Sequence, residues 1–197
     1  MDPVRYYLAL ILMVLLSPMI LFWIVIHPLI HFRRRLGPNR TYLLVGTPIV
    51  ILMVPIFQQR NQLLSVEFGT NNWLLALGVL CLIAASRMRQ LQHRNMSNRV
   101  LLGLPELAPQ RYPVRLVTSG PYARVCNPRY VELALSIFAF CLVANYLTPY
   151  LVCALWVAAI YFIVLLEERE LLERLGEEYE TCRHQVPRFI PRFKRPT

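Results

Sequence analysis

Two stretches of the chain carry side chains that belong neither in lipid nor in a simple connector. The first spans residues 116–130 and reads Leu-Val-Thr-Ser-Gly-Pro-Tyr-Ala-Arg-Val-Cys-Asn-Pro-Arg-Tyr. Gly120-Pro121 allows a tight turn that brings backbone amides and carbonyls close to a ligand. Asn127-Pro128 is a turn able to open a helix, with proline suited to the first helical position. Tyr122 and Tyr130 add aromatic faces with hydroxyl tips. These groups suit a planar base and a polar amino-acid moiety. They suit an interfacial loop with a helix start equally well.

The second stretch, residues 167–179, reads Glu-Glu-Arg-Glu-Leu-Leu-Glu-Arg-Leu-Gly-Glu-Glu-Tyr. Leu171, Leu172, Leu175 and Tyr179 recur at helical spacing, which describes an amphipathic extension lying on the membrane or on a bundle. Glu167 and Glu168 are less ordinary, because they abut a long apolar run where carboxylates are disfavoured without a partner. A bound cation would supply that partner. The apolar runs between them should form a hairpin that ends on the side it began. The two stretches should therefore meet at one cytoplasmic-facing site, where their groups suit a ligand with a base, an ammonium and a sulfonium.

Other constellations are weaker. His27 and His31 are four residues apart and share a helical face, but no third ligand is near, so they read as an interfacial pair rather than a metal site. The five cysteines, Cys81, Cys126, Cys141, Cys153 and Cys182, are odd in number and show no CxxC spacing. Neither a disulfide framework nor a zinc site is expected. Cys81, Cys141 and Cys153 sit inside apolar runs, where cysteine behaves as a small hydrophobe.

The elements that must position these stretches are apolar. Of 197 residues 56% are hydrophobic, and the mean hydropathy is +0.45. A water-soluble domain of that size needs more polar surface. The apolar runs cover residues 6–32, interrupted by Pro18 and Pro28, then 42–57, broken by Pro48 and Pro55. A third begins near Trp73 and runs out at Arg87 and Arg89; the last two are 131–146 and 149–166. The first is long enough to cross about 30 Å of hydrocarbon, too long for a cleavable signal, and Asp2 with Arg5 is a weak basic start. The last two are separated by a tight turn at Thr148 and should form an antiparallel hairpin. The expected fold is therefore all-α, a polytopic membrane bundle of about five transmembrane helices with a C-terminal helical hairpin and a cytoplasmic helical tail.

The net charge of +10 comes mostly from arginines at the ends of apolar runs. That placement argues against nucleic acid and for topology signals and membrane lipids. Arg33, Arg34, Arg35 and Arg40, the connector over residues 87–129 and the tail after 166 are basic; the N-terminus, residues 58–72 and the Thr148 turn are not. With five spans the basic set falls on one side, which places the C-terminus in the cytoplasm and the N-terminus outside. The chain divides into a three-span region (1–86), a Pro/Arg-rich connector (87–130), and a hairpin with its tail (131–197), all within one structural domain.

The run LVTSGPY…NPxY, then EExxLxxxxGxxY, then VPRFIP resembles the integral-membrane methyltransferases, a group holding isoprenylcysteine carboxyl methyltransferase, phospholipid methyltransferases and bacterial relatives. The likeness covers residues 116–191. It implies an S-adenosylmethionine-dependent methyltransferase, with a cytoplasmic-side cofactor pocket capped by the tail and a lipophilic small-molecule or lipid acceptor entering from the bilayer. It further implies cofactor-binding roles for Leu116, Val117, Tyr122, Asn127, Pro128, Tyr130 and Glu168, with Val186, Pro187 and Arg188 folding back near the site. Glu168 and Glu167 are the catalytic candidates, Glu167 as a base for an amine acceptor.

The chain also departs from the pattern. Cys126-Asn127 stands where the group carries Arg-His, Ile163 stands where the prenylcysteine enzymes carry an arginine on the acceptor side, and Cys182 replaces a second tyrosine. Two other readings compete: a non-catalytic membrane protein keeping the fold, and a nicotinamide-dependent membrane reductase. Heavy use of arginine over lysine points to a bacterial inner membrane, with the endoplasmic reticulum as the eukaryotic equivalent. The oligomeric state is not legible.

Overall fold

The computed structural model describes residues 2–26, 38–95 and 116–191. His27, His31, Pro28, the Arg33–35 cluster and residues 96–115 of the Pro/Arg-rich connector lie outside them. Among the described residues regular structure is helical and no β-strand forms.

Helix α1 (Pro3–Ile11) opens on Asp2, whose carboxylate accepts the Val4 N–H at 3.0 Å. It passes through a wide π-helical turn (Leu12–Leu16) into α2 (Ser17–Ile26). That turn lies just ahead of Pro18, whose ring lacks an N–H and would crowd the carbonyl one turn back. Two carbonyls of the turn accept side-chain donors. Leu16 O accepts the indole N–H of Trp156 at 2.9 Å, and Met13 O accepts the Ser17 hydroxyl at 2.7 Å. Pro18 thus ends no helix; it docks α1 and α2 on a distant element.

Next come α3 (Pro38–Gln58), a single turn α4 (Arg60–Leu63) and α5 (Asn72–Asn95). The run expected to break at Pro48 and Pro55 is one continuous helix with both prolines inside it, as membrane helices tolerate. The third run does not end at Arg89 either. It continues to Asn95 because Arg89 has work to do: its Nε and Nη2 donate to Glu132 Oε1 at 3.1 and 2.7 Å. Glu132 is buried on α6 (Pro128–Ala144), and Ser136 donates to the same oxygen at 3.0 Å. A carboxylate inside the bundle is tolerated because it is paired.

The hairpin turn is at Asn145 and Tyr146, two residues earlier than the Thr148 turn expected. Thr148 already belongs to α7 (Leu147–Leu175), whose 29 residues run unbroken from the hairpin into the charged stretch. At 1.5 Å per residue α7 is about 44 Å long, so roughly its last ten residues project beyond 30 Å of hydrocarbon, from Glu167 onward. Gly176 then stops the helix at φ 56°, ψ −129°, a conformation essentially reserved for glycine. The chain turns there into α8 (Glu177–Gln185). The amphipathic extension is therefore two helices with a sharp joint.

Among the described residues, three helices are long and apolar enough to cross a membrane: the first, over Pro3–Leu21, then Asn72–Arg94 and Leu147–Leu175. The apolar part of α3, Leu43–Gln58, is shorter, and α6 has 17 residues. Phe162, Leu155 and Leu80 lie with most of their surface uncovered, as lipid-facing side chains do. The described residues build only helices as regular structure, and the chain is a multi-pass membrane protein.

The core lies between α1, its π-helical turn, α6 and α7, where Met13, Ile137, Trp156 and Ile163 pack together. Helix α5 seats on α6 through Gly78: a Cβ there would stand 2.9 Å from Val143 Cγ2 and 3.0 Å from the Ala139 carbonyl oxygen. Small residues let membrane helices approach this closely. Gly78→Val is accordingly expected to destabilise the protein by about 1–3 kcal/mol through overpacking, read as a lowered midpoint of thermal unfolding in detergent. An unchanged midpoint would mean that α5 does not bear on α6 at this point.

Candidate ligand site at the open end of the hairpin

At the end of the hairpin opposite its turn, three segments meet: the loop before α6, the projecting part of α7, and α8 with the residues after it. The loop first turns at Gly120, held at φ 64°, and makes a short 3-10 helix (Gly120–Ala123). Pro121 O then accepts the N–H groups of Arg124 and Val125. Pro128 supplies the first residue of α6, and its carbonyl accepts Gln92 Nε2 from α5 at 3.2 Å. The start of α6 is thereby fixed from outside.

The residues after α8 pair with this loop backbone to backbone. Cys126 N–H donates to Pro187 O at 2.8 Å and Asn127 N–H to Arg188 O at 3.1 Å. The Cys126 thiol also donates to Val186 O at 3.0 Å. Arg188 Nε–H, carried in by these bonds, is shared between both oxygens of Glu168, at 2.8 and 3.0 Å. Glu168 is 2% exposed. The cation that a carboxylate at this depth requires is therefore one of the chain's own arginines, twenty residues further on. The resemblance had put Arg188 nearby without assigning it this partner.

Around that pair stand polar groups with no partner. Asn127 Nδ2, Glu167 Oε2 and the Tyr179 hydroxyl are all buried and make no hydrogen bond. Buried polar atoms left so are uncommon and costly. They belong to one neighbourhood: Tyr179 feels the charges of Glu168 and Glu167 and the thiols of Cys126 and Cys182. Burial, then those neighbours, push the Tyr179 phenol well above its ordinary range. Tyr122 stands within reach of Arg129 and Glu167, and burial raises it to about 12. Both phenols therefore stay neutral at ordinary pH and act as hydrogen-bond donors, not bases.

Of the residues singled out in the sequence, Tyr122, Asn127, Glu167 and Glu168 converge here. Pro128 serves the helix start, and Tyr130 packs into the core. Leu116 and Val117 are half-buried ahead of the Gly120 turn. Sequence reasoning took Tyr179 as part of an apolar helical stripe. The glycine three residues before it was the signal that the stripe ends and α8 folds back.

A donor set of one unpartnered carboxylate oxygen, one amide N–H and one phenol, beside a second carboxylate and an aromatic ring, fits S-adenosylmethionine. The carboxylates would suit its ammonium and sulfonium charges, and the amide and phenols its carboxylate and hydroxyls. No group of three or more His, Cys, Asp or Glu placed to hold a metal occurs among the described residues.

The chain matches the family described as Phospholipid methyltransferase over residues 72–178, more than half its length. The match runs from the start of α5 to the first residues of α8, so it contains Tyr122, Asn127, Glu167 and Glu168, while Tyr179, Cys182 and Arg188 fall beyond it. No curated protein and no solved structure matches the chain. With half the chain and both carboxylates inside the match, the protein belongs to the phospholipid methyltransferase family, integral-membrane enzymes that take their methyl group from S-adenosylmethionine.

Proposed function

We propose that the protein transfers a methyl group from S-adenosylmethionine to a lipid-like acceptor, at a site on the cytoplasmic face of a five-span bundle. The observation that carries this reading is the convergence of three unpartnered buried polar groups, Asn127 Nδ2, Glu167 Oε2 and Tyr179 OH, beside Glu168. The five spans are the three long apolar helices together with α3 and α6. The basic segments on one side give an inside C-terminus, in a bacterial inner membrane.

When bound, S-adenosylmethionine supplies a methyl group on a sulfonium, which leaves as a neutral thioether. Transfer of this kind needs alignment and desolvation more than proton handling. In this reading Glu168 and Asn127 orient the cofactor's amino-acid end, and the Tyr122 ring lies against its base. Tyr179 and the Val186–Arg188 backbone exclude water from above. An amine acceptor must first lose a proton, and Glu167 Oε2, with no competing hydrogen bond, is placed to receive it. A prenylcysteine acceptor is not favoured, because Ile163 is wholly buried in the core and offers no cation.

Titration calorimetry of the purified protein in detergent with S-adenosylhomocysteine, and separately with NADPH, tests the reading. Heat with the first alone is expected. No heat with S-adenosylhomocysteine would overturn it, and heat with NADPH alone would make the protein a reductase. Labelled-methyl transfer into amine, carboxylate, thiol and phenol lipids then identifies the acceptor. Glu167→Gln is expected to lower turnover on an amine by about 10²–10⁴-fold while S-adenosylhomocysteine binds as before.

A further inference from the structure

Cys126 and Cys182 are 56 residues apart in the chain, one in the loop before α6 and the other on α8. The fold puts their thiols close enough to interact. The backbone brings Cys126 to within one helical turn of Cys182. Val186 N–H bonds to Cys182 O at 2.9 Å, and Val186 O accepts the Cys126 thiol at 3.0 Å. One residue thus bridges the two cysteines. Both are half-exposed. Cys141 and Cys153 are buried inside the hairpin, and Cys81 lies midway along α5.

We propose that Cys126 and Cys182 form a redox-sensitive pair whose oxidation to a disulfide ties α8 to the loop and locks the Val186–Arg188 segment over Glu168. The oxidant is a low-molecular-weight disulfide. One protein thiolate attacks it and releases a thiol; the second protein thiolate displaces the other thiol from the mixed disulfide. One S–S bond breaks and one forms, and the two thiol protons end on the two released thiols. The bond requires the two side chains to rotate until the sulfurs reach the bonded separation of about 2 Å.

The position gives the bond a consequence. Three hydrogen bonds and the Arg188–Glu168 pair hold the segment against the loop, and all are reversible. A covalent tie makes that closure permanent. Burial holds the Cys126 thiol up at about 11, and while the pair is reduced nothing covalent keeps the segment closed. The effect on ligand entry rests on the cofactor reading above; the formation of the bond does not.

The test treats the full-length protein in detergent with glutathione disulfide. Peptide mapping under non-reducing conditions is expected to find the Cys126 and Cys182 peptides joined, lighter by two hydrogens than their sum. Cleavage by trypsin after Arg188 should slow at least several-fold and recover on reduction. Cys182→Ser should abolish both effects. Recovery of the two cysteines as separate glutathione adducts, or unchanged cleavage after cross-linking, would overturn the proposal. Calorimetry then separates the two readings. If the reduced protein binds S-adenosylhomocysteine and the oxidised protein does not, closure governs entry. If both forms bind it equally, the lock on the site is refuted. If the reduced protein does not bind, the cofactor reading falls, while mapping and cleavage still judge the pair.

Discussion

Glu168→Gln is expected to weaken binding of S-adenosylhomocysteine by about 1.5–3 kcal/mol, roughly 10- to 150-fold, the range for losing a charge-assisted contact. The substitution keeps size and burial and removes only the charge. Its second effect is on the tail. Arg188 Nε–H now meets two carboxylate oxygens; a glutamine offers one acceptor and turns an N–H₂ toward the other side. Loss of the anchor could by itself disturb the site, so Arg188→Met is measured beside it. If Glu168 touches the ligand, Glu168→Gln costs affinity in the Arg188→Met background too. If Glu168 only anchors the tail, it adds nothing there, and its assignment as a binding residue fails. Trypsin cleavage after Arg183 reports tail release in each variant separately from affinity.

How far the site could be read in advance differs from residue to residue. Glu167 and Glu168 were conspicuous because a carboxylate at the edge of a long apolar run needs a reason. Asn127-Pro128 was conspicuous because proline opens helices. What supplies the reason for Glu168 was not legible: Arg188 is one of 21 basic residues, and only the pairing of residues 126–127 with 187–188 singles it out. Long-range backbone pairing outside a regular sheet leaves no periodicity to find. The Cys126–Cys182 contact follows from the same pairing, so counting cysteines and checking for CxxC could not reveal it.

The helices were easier, with instructive errors at their ends. Apolar runs marked where each helix lies, but charges and prolines misplaced its limits. Arg87 and Arg89 looked like an exit from lipid, yet α5 continues because Glu132 needs Arg89. Pro48 and Pro55 looked like breaks, yet intrinsic propensity gives way where neighbours satisfy the freed carbonyls. The hairpin turn was placed at Thr148, a residue of ordinary turn propensity. The actual hinge is Asn145, left-handed at φ 55°, ψ 50°, a conformation that asparagine among non-glycine residues visits most readily. The asparagine was itself the local signal, and partners far away in sequence complete its hold.

Those partners set the largest stability effect expected in the molecule. Arg5 is 6% exposed at the end of the bundle opposite the ligand site. Its Nε donates to Ala144 O at 3.2 Å, Nη1 to Thr70 Oγ1 at 3.0 Å, and Nη2 to Asn145 O at 3.4 Å. Nη1 also lies 3.0 Å from Glu67 Oε1. The same loop is clamped on the hairpin by Phe68 N–H to Asn145 O, Leu147 N–H to Val66 O and Asn145 Nδ2 to Gly69 O. Arg5 therefore joins α1, the loop before α5 and the α6–α7 turn in one buried knot. Arg5→Leu leaves Glu67 without its cation and a helix-terminal carbonyl without a donor. Removing one partner of a buried pair typically costs about 3–5 kcal/mol. Arg5→Leu should lower stability by about that much, measured by denaturant unfolding in mixed micelles. Glu67→Gln should cost less, because the Glu67 side chain is 20% exposed and its loss leaves Arg5 three acceptors. In the double variant the combined loss should fall short of the sum, since the unpaired carboxylate is gone. Strict additivity would mean that the pair is not coupled, and that Arg5 acts through the hairpin carbonyls alone.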